Sequence, residues 1–193
     1  MKTLKTITAL FAMALAISCS KNDDSETVPE FKTENPLEAY HAEAGFTKVA
    51  NFINSGDYEF GLVFSPAVPG KIKAITLKLP AVNSSVRVTI WDYDSRAVLR
   101  SETLNVATAD LSVKKEIAIL PLEKDKKYVI TMNSNDWYKK SKPDDAAATY
   151  PIVAGNITFH QYLWLSGTSQ TFPTNVSQNY NGGDLSFDFQ ETE

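Results

Sequence analysis

The side chains best equipped to hold a ligand in this chain are aromatic. Residues 133–140 read Asn-Ser-Asn-Asp-Trp-Tyr-Lys-Lys, a loop between strands that sets Trp137 and Tyr138 among polar neighbours. Over residues 156–165, strand alternation places His160, Tyr162 and Trp164 on one face and Ile157, Phe159, Leu163 and Leu165 on the other. Sugar rings present C–H faces that stack on Trp and Tyr, while flanking Asn, Asp and Lys bond their hydroxyls, so Trp137, Tyr138, His160, Tyr162 and Trp164 form a candidate carbohydrate platform. The same stripe would serve equally well as a second small core beneath a neighbouring loop or sheet, since large aromatic side chains are commonly buried.

Catalytic constellations are scarce. The 193 residues contain two His and one Cys, which leaves little for a zinc centre. There is no G-x-S-x-G elbow, P-loop, G-x-G-x-x-G or H-E-x-x-H segment. A carboxylate pair for glycoside hydrolysis asks only for two acids in a cleft, so 23 Asp and Glu decide nothing. Asp92 and Asp94, in the segment Asp92-Tyr93-Asp94-Ser95, could offer oxygen ligands to Ca²⁺. An Asx turn accounts for the same residues. No cofactor is implied, and a net charge of −4 argues against a general nucleic-acid binder.

Cys19 has a different context. Lys2 and Lys5 precede an apolar run from Ile7 to Ile17, followed by Ser18-Cys19, the layout of a secretory signal peptide. The run is shorter than the roughly 20 apolar residues that span a bilayer. Ala16-Ile17-Ser18-Cys19 resembles a bacterial lipobox, with Ala16 where Leu is usual. The resemblance implies a signal peptide over residues 1–18 and a mature N-terminal Cys19 lipidated on sulfur, a membrane anchor. The acidic stretch after it, Ser20-Lys21-Asn22-Asp23-Asp24-Ser25-Glu26, resembles the export signal that sends lipoproteins of the Bacteroidetes to the outer leaflet of the outer membrane. A solvated linker has the same composition. Residues 19–43 therefore read as a flexible tether, with one short helix over residues 37–44 preceded by Asn35 and Pro36.

The elements that must position the aromatic residues are strands. Tyr58, Phe60, Leu62 and Phe64 alternate with Glu59, Gly61 and Val63, and Ile75, Leu77 and Leu79 alternate with Thr76 and Lys78. Val86, Val88 and Ile90 face away from Arg87, Thr89 and Trp91. Further strands are expected over 97–106, 113–120, 127–133, 156–165 and 185–189. Short strands punctuated by turns, without a long amphipathic helix, predict an all-β fold, an antiparallel sandwich over residues 44–193.

Three of these segments share a further likeness. Tyr58-Glu59-Phe60-Gly61-Leu62-Val63-Phe64, then Pro69-Gly70-Lys71-Ile72, then Val86-Arg87-Val88-Thr89-Ile90-Trp91-Asp92, with the Leu-led turn and Tyr-Val strand of 122–132, resemble the family called domain of unknown function 4082. The resemblance covers roughly residues 58–138. It implies an Ig-like or jelly-roll-like β-sandwich of surface proteins, sometimes beside carbohydrate-active domains, and brings no catalytic residues. The resulting expectation is a non-catalytic cell-surface lipoprotein whose sandwich binds a glycan. A structural or adhesive protein that binds another surface protein is the alternative, and an unrecognised hydrolase a remote one.

Overall fold

The computed structural model describes residues 31–192; Cys19 and its flanking segments lie outside the described residues. In chain order the first elements are β1 (Thr33–Glu34), α1 (Leu37–Ala44), β2 (Lys48–Phe52), β3 (Tyr58–Pro66) and β4 (Gly70–Lys78). There follow β5 (Asn83–Asp92), β6 (Val98–Val106), β7 (Val113–Leu122), β8 (Tyr128–Ser134) and β9 (Trp137–Ser141). Last come β10 (Ile152–Ala154), β11 (Ile157–Ser166), β12 (Asn175–Ser177), β13 (Tyr180–Gly182) and β14 (Asp184–Glu191).

Strand alternation sorts these elements into an all-β antiparallel sandwich. A seven-stranded sheet runs β10-β11-β3-β8-β5-β6, with β12 also paired to β11, and a four-stranded sheet runs β1-β14-β4-β7. Phe60, Leu62 and Phe64 of β3 and Val86, Val88 and Ile90 of β5 turn one face of the large sheet inward. They meet Ile72, Ile75 and Leu77 of β4 and Leu185, Phe187 and Phe189 of β14. Phe64 and Phe187 touch across the layers, with ring centroids 4.5 Å apart. Each such side chain withdrawn from water contributes about 1.5–3 kcal/mol, which this two-layer arrangement collects along every inward strand position.

The third sheet, β13-β9-β2, takes two of its strands from chain that leaves the large sheet. The chain passes from β8 in the large sheet to β9 through Asn135-Asp136 alone, and from β12 to β13 through Gln178-Asn179. This corrects the reading of residues 133–140 as a loop: Trp137 and Tyr138 are strand residues, opposite Phe52 and Asn51 of β2. β2 itself is mostly exposed, and without a buried periodic face its sequence carries little strand signal.

The tether boundary is also corrected. From Phe31 onward the chain belongs to one compact unit. β1 pairs with β14, Thr33 opposite Gln190 and Glu34 opposite Phe189. The Asn35 side chain bonds Thr76 Oγ1 at 3.0 Å and accepts from Ser186 Oγ at 2.7 Å. The helix has the expected bounds. At 8 residues it is too short to be stable alone and is held by burying Tyr40, His41 and Ala44. Gly45, at φ 71°, ends it in the left-handed conformation that glycine adopts without strain.

Candidate functional site

The two corners between large and small sheet leave a cleft at the seam. Tyr58 and Phe60 of β3, Tyr162 and Trp164 of β11, Trp137 of β9 and Tyr180 of β13 line it. Its volume is about 170 Å³. Phe60 and Tyr162 are buried and form its floor, while Tyr58, Trp137, Trp164 and Tyr180 are half-buried.

A β-bulge on β11 is what brings Tyr162 and Trp164 here. Phe159 lies opposite Phe64, but Gln161 lies opposite Val63, so His160 is an extra residue in the ladder. An inserted residue reverses the alternation beyond it. Simple period two joins Tyr162 and Trp164 to His160 and opposes them to Phe159; the bulge instead puts Phe159, Tyr162 and Trp164 on the inner face. Leu163 goes to the outer face, against Val63, Trp91 and Val129. The expected faces of this strand are thereby corrected from Tyr162 onward.

The aromatic walls are held firmly. The Trp137 indole N–H donates to Ser55 Oγ at 3.0 Å, and Phe52, its cross-strand neighbour, stacks on it with centroids 4.4 Å apart and planes 4° from parallel. Tyr58 stands edge-on to Trp137 and to Trp164, at 6.5 and 6.1 Å. The hydroxyl of Tyr162 approaches the Gly182 backbone so closely that a Cβ there would strike it, so the floor depends on glycine at this position. Burial pushes the Tyr162 hydroxyl well above its ordinary pKa, with Tyr180 and Tyr150 adding to the rise and the Gly182 backbone hydrogen bond opposing it. The lining is therefore neutral. Polar groups stand at the rim: Asn175 lies opposite Trp164 and Ser177 opposite Tyr162, and the Lys139 ammonium sits 4.9 Å from the Tyr180 ring centroid.

Of the residues expected to bind, Trp137, Tyr162 and Trp164 come together in this cleft. Tyr138 and His160 do not join them. Tyr138 points to the opposite face of β9, is buried, donates its hydroxyl to Asp110 and lies under Lys78. His160 occupies a separate polar pocket with Val63, Tyr93, Lys127, Tyr150, Pro151 and Gln161. Its Nε2 is 2.8 Å from Ser65 Oγ, and burial, with Lys127, lowers its pKa. A serine activated by histidine also needs a third group to orient the base, and no acid lines this pocket among the described residues.

Tyr58, Phe60 and Tyr180 complete the cleft without having been singled out as ligand-binding residues. The first two carry the period-two signal of β3, but which end of that strand stays uncovered is a tertiary fact. Tyr180 sits in Asn179-Tyr180-Asn181-Gly182-Gly183, which reads as turn.

Asp92 is engaged in a turn. Its Oδ1 accepts from the Ser95 N–H at 2.9 Å and the Ser95 hydroxyl at 2.8 Å, and Lys126 Nζ lies 3.2 Å from Oδ2. The Ser95 bonds first, then Lys126, hold its carboxyl down at about 2. Asp94 is exposed. Among the described residues no group of three or more His, Cys, Asp or Glu is placed to hold a metal ion.

No protein-family model matches the chain, and no curated protein matches it.

Proposed function

We propose that this chain is a non-catalytic cell-surface binding module and that its seam cleft takes a neutral sugar ring of an extracellular glycan. The observation that carries the reading is the convergence of six aromatic side chains from four strands and two sheets on one small opening. A pyranose offers apolar C–H faces to such walls, and its equatorial hydroxyls would reach Asn175, Ser177 and Lys139 at the rim. The lining carries no charge, which favours an uncharged ring. On a broad glycan array the wild-type protein should be retained, and Trp164→Ala or Trp137→Ala should abolish retention while the protein still unfolds cooperatively. Retention unchanged in both variants would remove the cleft from the function.

The anchor belongs to the same reading. We infer from the lipobox-like segment that Cys19 carries the lipid and that the module is displayed on the outer membrane, facing the exterior. Cys19→Ser should move the protein from the membrane fraction to the soluble fraction and end its labelling by palmitate; a variant that fractionates and labels as wild type does would contradict the assignment.

One observation favours a protein partner instead. β6 and β7 are the outer strands of the large and four-stranded sheets, and they expose Val98, Leu99 and Ile119 at 45%, 39% and 59%. Unpaired sheet edges bearing apolar side chains are a usual site of strand addition. If wild type binds nothing on the array, this edge becomes the leading candidate surface.

A further inference from the structure

We infer that the ligand is an oligosaccharide chain and that the polar groove at the β12–β13 corner holds the units beyond the one stacked in the cleft. This rests on the glycan reading of the cleft and extends it.

The groove is lined by Asp145, Ala147, Val176, Ser177, Gln178 and Asn179, and its volume is about 520 Å³ against about 170 Å³ for the cleft. The cleft has room for little more than one ring; the groove has room for more. The two adjoin through a single residue. Ser177 lines the groove and lies opposite Tyr162 of the cleft floor. Asn179 of the groove immediately precedes Tyr180 of the cleft wall in the chain.

The chemistry of the two depressions differs in the way a chain of sugars requires. Cleft walls are aromatic and suit ring faces. Groove walls carry the exposed amides of Gln178 and Asn179, each presenting a donor and an acceptor in one plane, which suits vicinal hydroxyls. Val176, 52% exposed, adds apolar surface for a C–H face. Asp145 is not a free acceptor: Lys48 Nζ binds its Oδ2 at 2.7 Å, and Ser141 Oγ donates to its Oδ1 at 2.9 Å. The Gln178 amide and the Asn179 NH₂ group are therefore the free polar groups.

The corner is also fixed before any ligand arrives. Ala148 N–H donates to the Gln178 carbonyl at 2.7 Å, and Ser177 Oγ donates to Asn179 Oδ1 at 2.8 Å. The second bond leaves the Asn179 NH₂ group free to donate. The Asn179 side chain, so held, loses little freedom on binding, and hydrogen bonds made there contribute more of their strength to affinity.

The test is a length series on one surface: mono-, di-, tri- and tetrasaccharides of α- and β-linked glucan, mannan and galactan. Wild type should bind more tightly as the chain lengthens and then reach a plateau. The double variant Gln178→Ala/Asn179→Ala should keep monosaccharide binding and melting temperature, and lose about tenfold on the longest member. Gln178→Glu, with bulk retained, should show a partial loss in the same direction. Equal wild-type affinity for mono- and tetrasaccharide, or a double variant that follows wild type at every length, would overturn the groove and leave the cleft standing. Retention of no sugar at all would overturn both.

Discussion

The outer face of the seven-stranded sheet and the seam on its inner face both gather aromatic side chains, but among the described residues only the outer cluster is closed by its own chain. There, Val63, Trp91, Val129 and Leu163 pack with Tyr93 and Phe172. The segment 167–174 crosses over them as a strap. Phe172 stands edge-on to Trp91 at 5.8 Å, with the Arg96 guanidinium 5.3 Å from its ring centroid. Arg87 Nη2 donates to Thr168 O at 3.0 Å, Asn133 Nδ2 to Gly167 O at 2.9 Å, and Gln170 Nε2 to Thr89 Oγ1 at 3.1 Å. Trp91 is left 3% exposed, its indole N–H donating to Thr131 Oγ1 at 2.9 Å. At the seam, among the described residues, nothing comparable lies over Trp164, which remains half-buried. Aromatic content is thus a poor marker of a binding surface in this fold; the presence or absence of a strap separates the two clusters.

The contrast can be broken most directly by truncating one tryptophan from each. Trp91→Ala removes a closed-core side chain and the indole donor to Thr131, whose hydroxyl keeps its bond to Glu59, so it should cost about 3–5 kcal/mol in unfolding free energy by denaturant titration. Trp164→Ala gives up packing on one side only and should cost about 1–2 kcal/mol. Equal losses would mean that the seam cluster is core as well, and the binding reading would lose its basis.

Much of this contrast was readable in the residues. The alternation of Val86, Val88 and Ile90 against Trp91 names the inner and outer faces of β5 correctly, because period two holds wherever a ladder is regular. It fails on β11, where one inserted residue at His160 reverses every side chain beyond it, and a bulge has no period of its own to detect. Trp137 could be picked out as a large aromatic among polar residues, yet its strand exists only through pairing with β2, far earlier in the chain, and β13, far later. The same holds for β1, where Thr33 and Glu34 become strand by adding to β14. Nothing local marks Tyr180, because Asn-Tyr-Asn-Gly-Gly has the composition of a turn and becomes a cleft wall by tertiary pairing with β9.

A smaller effect should separate the two regions by pH. The small sheet is clamped to α1 by His41, whose Nε2 is 3.0 Å from Asn181 Nδ2 and whose Nδ1 is 3.3 Å from Lys140 Nζ. Burial, and then the Lys140 charge, lowers its pKa from 6.5 to about 3. The unfolded chain therefore takes up this proton first. Stability from His41 is fully present above 6.5 and is lost as pH falls toward 3, by about 1.4 kcal/mol per pH unit at the steepest. Glu59, beneath the outer cluster, works in the opposite sense. Burial raises its carboxyl pKa above 4.5 against the hydrogen bonds of Thr131 and Arg87, so the folded state holds that proton more tightly and gains stability as pH falls through the raised value. His41→Gln should flatten the acid slope of the unfolding free energy between pH 6.5 and about 5, and Glu59→Gln should steepen it. Two variants that both leave the wild-type slope intact would show that neither group is titrating in the folded state as its surroundings dictate.

The smallest effect concerns the turn between β5 and β6, and there the expected change is close to zero. A Ca²⁺ ion bound at Asp92 would have to displace the Lys126 ammonium from Oδ2 and compete with both Ser95 bonds at Oδ1. Those bonds already stabilise the ionised carboxylate, which is why its pKa lies near 2; the charge a cation would neutralise is largely compensated. Asp94 alone offers too few oxygens for an ion that takes six to eight. Adding Ca²⁺ or EDTA should therefore leave the melting temperature within about a degree of its starting value, the size of change that corresponds to only a few tenths of a kcal/mol in a domain of this length. A rise of several degrees with Ca²⁺, reversed by EDTA and absent in Asp92→Asn, would mean that the turn opens to coordinate the ion, and the Asx geometry would then describe only the cation-free state.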